Sequence, residues 1–173
     1  MLKEKIEAAL NDQLNFEFYS AYIYLSMSAY FESIDLKGCS QWMKAQTQEE
    51  MLHAMKFFDF IAERGGRVML KQIDSPETQW ESPLKAFENA LHHEGIVTEK
   101  INHLMDLAQQ EKDHATQIFL QWFISEQVEE EASVNAVVQR LKLAGDNPGP
   151  LFMLDRDLSA RVFTMPASGS DPT

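Results

Sequence analysis

Glu49-Glu50-Met51-Leu52-His53 sets a carboxylate and an imidazole three residues apart within a run that reads as helix. Residues at that offset share one helix face. Met43, Phe57, Phe60 and Ile61 lie on the same face and are of the kind that pack inward, so Glu50 and His53 point into a core. Taking an ionised carboxylate out of water costs several kcal/mol unless a counter-charge or a metal offsets it. A Glu and a His at this spacing can grip one ion together, so the rest of the chain is expected to supply further ligands.

Working outward, residues 3 to about 33 carry Leu10, Leu14, Ala21, Tyr24, Met27 and Phe31 at steps of three, four and seven with no Gly or Pro, and Glu17 falls inside that apolar stripe. Asp35 to Gly38 is a short break. The helix holding the opening motif then runs from about 39 to Arg64, where Gly65-Gly66 ends it as a left-handed cap. So short a break predicts an antiparallel hairpin.

From Arg67 to about Ser82 the pattern changes to a connector with Pro76 in it and Pro83 after it, in which Val68, Leu70 and Ile73 alternate as a partly extended strap. About 17 extended residues reach roughly 55 Å, more than the roughly 42 Å of a helix of about 28 residues, so the connector can cross the whole bundle. Ser82-Pro83 opens a third helix with Phe87, Leu91, Ile101, Leu104 and Met105 on its inner stripe and Glu94 among them. A fourth helix is expected from about His114 to Leu143, with Leu120, Phe123, Val134, Val138 and Leu141 inward and Gln127 and Glu130 on the same face. The stretch 145–150 reads as a stop, Leu151 to about Phe163 as a short fifth helix, and the remainder as a polar tail.

Composition narrows the class. At 173 residues, 45% hydrophobic and 24% charged, the chain suits one domain with a sizeable core. The single Cys39 excludes an internal disulfide framework and a Cys-x-x-Cys metal knot, and fits a reducing cytosol. The start Met1-Leu2-Lys3-Glu4-Lys5 has no apolar leader and no run reaches about 18 apolar residues, so a cytoplasmic location with no membrane partner is expected. A formal net charge of −12 disfavours nucleic acid and attracts cations.

The ligands repeat. Glu17 to Glu50 is 33 residues and Glu94 to Gln127 is 33, and each second member is followed at plus three by another donor, His53 and Glu130. In each hairpin the single Glu and the paired motif lie about equally far from the turn, so antiparallel packing brings all four helices' polar groups to one level. Glu17, Glu50, Glu94 and Glu130 carry four negative charges, matching two divalent cations, and His53 adds a nitrogen. Oxygen-rich ligation with one His suits iron or manganese, with zinc able to compete.

The spacing Glu17, Glu50-x-x-His53, Glu94, Gln127-x-x-Glu130, with Tyr24 seven residues past Glu17, closely resembles the non-haem bacterial and archaeal ferritins over about residues 1–163. The resemblance implies an all-α, ferritin-like four-helix bundle with one long crossover between helices 2 and 3 and a short fifth C-terminal helix. Residues 1–163 would form the di-iron domain and 164–173 a disordered tail. It also implies that Glu17, Glu50, His53, Glu94 and Glu130 hold a dinuclear iron ferroxidase centre with Gln127 beside it, Glu50 bridging the two ions. Glu49, Glu126 and Glu129 match carboxylates that form a third iron site with Glu130. Tyr24 matches a tyrosine near the centre, read either as an electron donor or as an ordinary hydrogen-bonded core residue. Function follows as an expectation: Fe(II) oxidised by dioxygen or hydrogen peroxide and stored as ferric mineral inside a 24-subunit homo-oligomeric shell.

The sequence departs from some relatives. Gln127-x-x-Glu130 stands where bacterioferritins repeat Glu-x-x-His, while Met51 sits where they present a haem-ligating Met. A haem-containing bacterioferritin and a non-storage di-iron oxidase are the alternatives. Gln117 and Leu120 replace the acidic pair that lines the three-fold channels of animal ferritins. His92, His93, His103 and His114 read as surface or inter-helix residues, Cys39 as a small packed side chain, and Glu131 as part of a solvated face.

Overall fold

The structure is a computed structural model that describes residues 2–164. Among these residues the chain forms α1 (Glu4–Ser33), α2 (Lys37–Glu63), α3 (Pro83–Gln110), α4 (His114–Ala144) and α5 (Pro148–Leu158), with no strand. The expected all-α bundle with a crossover and a short last helix is therefore present. No helix among the described residues is long and apolar enough to cross a membrane. The expected disordered tail lies, apart from Thr164, outside the described residues.

The apolar stripes build two separate cores. One gathers Tyr24, Met27 and Phe31 of α1, Met43 of α2, Phe87 of α3 and Val134 and Val138 of α4. The other gathers Leu10 and Leu14, Phe57 and Ile61, Ile101 and Leu104, and Leu120 and Phe123. The start of α1, the end of α2, the end of α3 and the start of α4 thus share one end of the bundle. Helices α2 and α3 run parallel, which only a crossover the length of the bundle can connect. Between the two cores lies the stretch of each helix that carries the polar candidates.

The connector is held by α1. Asn11 Nδ2 donates to the Arg67 carbonyl (3.0 Å) and its Oδ1 accepts from the Met69 amide (2.6 Å). One turn on, Asn15 does the same with the Met69 carbonyl (2.8 Å) and the Lys71 amide (2.7 Å). Two side-chain amides at i and i+4 act as rungs for an extended backbone, satisfying groups that no sheet pairs. Val68 of the alternating strap packs on the second core while Leu70 and Ile73 point outward, 68% and 42% exposed, so beyond Val68 hydrogen bonding rather than apolar burial pins this stretch.

Helix ends follow their local chemistry. Gly65 adopts φ 72° and the Gly66 amide reaches the Ile61 carbonyl at 2.9 Å, closing α2 as the Gly-Gly pair predicts. Asp113 caps α4 through the Thr116 amide (3.1 Å) and takes two hydrogen bonds from Arg64 (3.1 and 3.0 Å), tying the end of α2 to the start of α4. The fifth helix begins three residues earlier and ends about five earlier than its sequence suggests. Asn147 caps it through the Gly149 amide and Pro148 occupies its first turn, where a missing N–H costs nothing, so prolines that read as a stop are a start. Helix α2 begins at Lys37 with no side-chain cap of its own. Asp155 of α5 accepts from the Cys39 amide at 2.8 Å in its place.

Candidate metal centre

Glu17 of α1, Glu50 and His53 of α2, Glu94 of α3, and Gln127 and Glu130 of α4 all lie in the layer between the two cores, none more than 5% exposed. Glu17, Glu50 and His53 bring ligand atoms within 4.8 Å of one another, and His53, Glu126 and Glu130 form a second such group. His53 Nδ1 lies 3.4 Å from Glu50 Oε2, and its Nε2 4.0 Å from Glu126 Oε1. The ring itself packs edge-on against Trp122 and Phe123.

Glu94 belongs to neither group. Its Oε1 accepts from the Tyr24 hydroxyl and its Oε2 from Gln127 Nε2 at 3.2 Å, so both oxygens are engaged. Glu49 and Glu129 also stand apart: Glu49 is paired with Arg161, and Glu129 is exposed.

Two residues escaped the sequence reading. Gln13 Nε2 donates to Glu17 Oε1 at 2.9 Å, and Gln46 Nε2 to Glu130 Oε2 at 2.6 Å. Each sits four residues before a candidate ligand, Glu17 or Glu50, so the signal available was a second polar residue on an inward stripe. His93, one of the inter-helix histidines, is buried, 2.8 Å from Ser20 Oγ and stacked on Phe16. Burial, with the neighbouring His92, pushes it down to about 4, which keeps it neutral. Cys39 is buried as expected, and burial holds its thiol well above the ordinary range, which disfavours the reactive thiolate.

The layer is short of positive charge. Burial, then the charge of Glu50, pushes Glu17 up to about 8, and burial, then Glu94, pushes Glu130 up to about 7. Burial followed by the charges of Glu94 and Glu130 lifts Glu50 well above the carboxylate range, and burial also raises Glu94 and Glu126. Tyr24 is pushed well above its ordinary value by burial and then by Glu94. Glu17 Oε2, Glu50 Oε2 and Gln46 Oε1 are buried without any hydrogen-bond partner. Unpaired buried acceptors are costly, and a cluster of them beside an imidazole fits divalent cations, which would displace the protons and satisfy the oxygens together.

A family model of the ferritin-like domain matches residues 7–144. A bacterial non-heme ferritin of Bacteroides fragilis is 44% identical over 161 residues, 93% of this chain and 100% of that relative. Another from Staphylococcus saprophyticus is 38% identical over 94% of this chain and 98% of its own length. Among solved structures, an open-pore ferritin from the hyperthermophilic archaeon Archaeoglobus fulgidus superposes with a TM-score of 0.93 at 54% identity, over 94% of this chain and 100% of that one. Full-length similarity at these identities, on the same five helices, means that the chain belongs to the ferritin family, among its non-haem bacterial and archaeal members.

Proposed function

We propose that the protein is an iron-storage ferroxidase. Fe(II) is the substrate, and two Fe(II) ions bind in the layer formed by Glu17, Glu50, His53, Glu94 and Glu130, with Gln127 at its edge. The observation that carries this reading is the buried set of carboxylates in which Glu17 Oε2 and Glu50 Oε2 accept no hydrogen bond. Four carboxylates neutralise two divalent ions, and loss of one electron from each supplies the two electrons that reduce dioxygen to hydrogen peroxide, or peroxide to water. Raised carboxyl values couple binding to proton release, and Fe(III), the harder cation, suits the same oxygen ligands.

Glu49, Glu126 and Glu129 form with Glu130 a further iron position beyond the pair, a reading supported by Glu126 and Glu130 bringing ligand atoms together beside His53. Tyr24, hydrogen-bonded to Glu94, is placed to donate an electron. Oxidised iron collects as mineral within a shell of many copies of the chain, a 24-mer by the family resemblance, in the cytoplasm.

The test is anaerobic Fe(II) titration followed by air, on wild type and Glu50→Ala. Fast oxidation at about two irons per subunit, later retention of many more, and loss of the fast phase in the variant are expected. A wild type that stops at the first pair and retains no mineral is a di-iron oxidase instead. Haem, the alternative that Met51 raises, runs against the non-haem relatives, although Met51 is 43% exposed on an apolar groove with Phe18, Tyr22, Leu25 and Ile73. A Soret band in the purified protein identifies it.

A further inference from the structure

Gln127 reaches beyond the layer. Its Nε2 lies 3.2 Å from Glu94 Oε2, 3.3 Å from the Glu94 carbonyl and 3.3 Å from Thr98 Oγ1. Thr98 in turn donates to Glu131 Oε1 at 2.5 Å. Thr98, Gln127 and Glu131 line a groove of about 740 Å³ between α3 and α4, together with Asn102 and Asn135. Glu131 is half-buried there rather than part of a fully solvated face.

A threonine hydroxyl has one hydrogen. Because Glu131, a charged acceptor, takes it, Thr98 can only accept from Gln127, and the Gln127 amide must present its NH₂ side to α3. That orientation makes Gln127 a donor to Glu94. Two N–H groups are then shared among three acceptors, and the resulting bonds are long. Glu94 Oε1 is held by the Tyr24 hydroxyl, so Oε2 is the oxygen that a cation can take most readily, and Gln127 is the group it must displace.

We propose that Thr98 and Glu131 are positioning residues which, through Gln127, keep Glu94 Oε2 loosely held and available to a cation. The inference rests on the reading of this layer as a divalent-ion site. Without the Thr98 hydroxyl both Gln127 N–H groups fall to Glu94, which tightens them against the incoming ion. Without the Glu131 carboxylate the Thr98 hydroxyl is free to donate to the Gln127 carbonyl, the amide turns its oxygen toward the Glu94 carboxylate, and repulsion between the two oxygens moves Oε2 out of position for an ion.

The experiment is anaerobic Co(II) titration of the full-length protein, read by visible absorption. The two readings separate in the wild type. Failure of the wild type to bind a pair of Co(II) ions overturns the dinuclear site itself. Given a wild-type pair, the expected result is that Thr98→Val, which is isosteric, weakens the second ion about tenfold or more, the range found when partners behind metal ligands are removed. Thr98→Ser, which restores the hydroxyl, should return wild-type binding, and Glu131→Leu, which removes the acceptor, should weaken the second ion alone but add little in the Thr98→Val background. Wild-type affinity in Thr98→Val or Glu131→Leu, failure of Thr98→Ser to rescue, or additive losses in the double variant overturns the proposal while leaving the dinuclear site standing.

Discussion

Gln46 holds Glu130 across the bundle, its Nε2 donating to Glu130 Oε2 at 2.6 Å from one turn before Glu50. The bond favours the ionised carboxylate and opposes the burial that pushes Glu130 up to about 7. Replacing Gln46 with Leu removes this support, so Glu130 keeps its proton to higher pH. Zn(II) affinity of Gln46→Leu measured by calorimetry at pH 6.5 should fall about tenfold, with the gap narrowing at pH 8.5. Equal affinities at both pH values would remove Gln46 from the site.

The buried carboxyls set the pH dependence of the cation-free protein. Glu17 at about 8 and Glu130 at about 7 lie above the ordinary 4.5, so between pH 4.5 and 8 the folded state binds more protons than the unfolded one. Stability from these groups is therefore fully present below the ordinary value and is lost as pH rises through the folded values. Chelator-treated protein should show a lower denaturation midpoint at pH 8.5 than at pH 5.5, at fixed protein concentration. Saturating Zn(II), which binds the ionised carboxylates, should abolish or reverse that trend. A chelated protein equally stable at both pH values would mean that the layer does not hold its protons.

Arg161 competes for Glu49. Its guanidinium pairs with Glu49, lies 4.2 Å from the Trp42 ring centre, and leaves Nη1 buried without a partner. If Glu49 serves the further iron position, it must leave Arg161 to do so. Arg161→Gln should then bind the ion beyond the pair several-fold more tightly, read as a third Zn(II) per subunit in equilibrium dialysis, with the first two unchanged. An unaltered third ion would assign Arg161 to packing on Trp42 alone.

Gly38 lets α5 sit on the start of α2. A Cβ at this position would overlap the Asp155 carbonyl, and Asp155 also caps α2 through the Cys39 amide. Gly38→Ala should cost about 1–3 kcal/mol, the range for overpacking, and should expose the link between α4 and α5 to limited proteolysis. Cleavage at the wild-type rate would show that α5 yields without leaving.

Much of this protein is local in origin. Apolar residues at steps of three and four are a property of each segment, so the sequence alone determined four long helices. The doubled 33-residue spacing set Glu17, Glu50, Glu94 and Gln127 at one level, because two helices joined by a short turn have their depths fixed by counting residues. Gly65-Gly66 and Ser82-Pro83 likewise mark helix ends through backbone chemistry within a few residues. Partners far apart along the chain were decided by tertiary structure. Asn11 and Asn15 carry the connector, Asp155 caps α2, Arg161 takes Glu49, and Tyr24 and Gln127 occupy both oxygens of Glu94. Periodicity gives the face a side chain occupies, whereas which atom it meets depends on helix rotation, on rotamers, and on burial that makes each unpaired polar atom costly enough to select a partner.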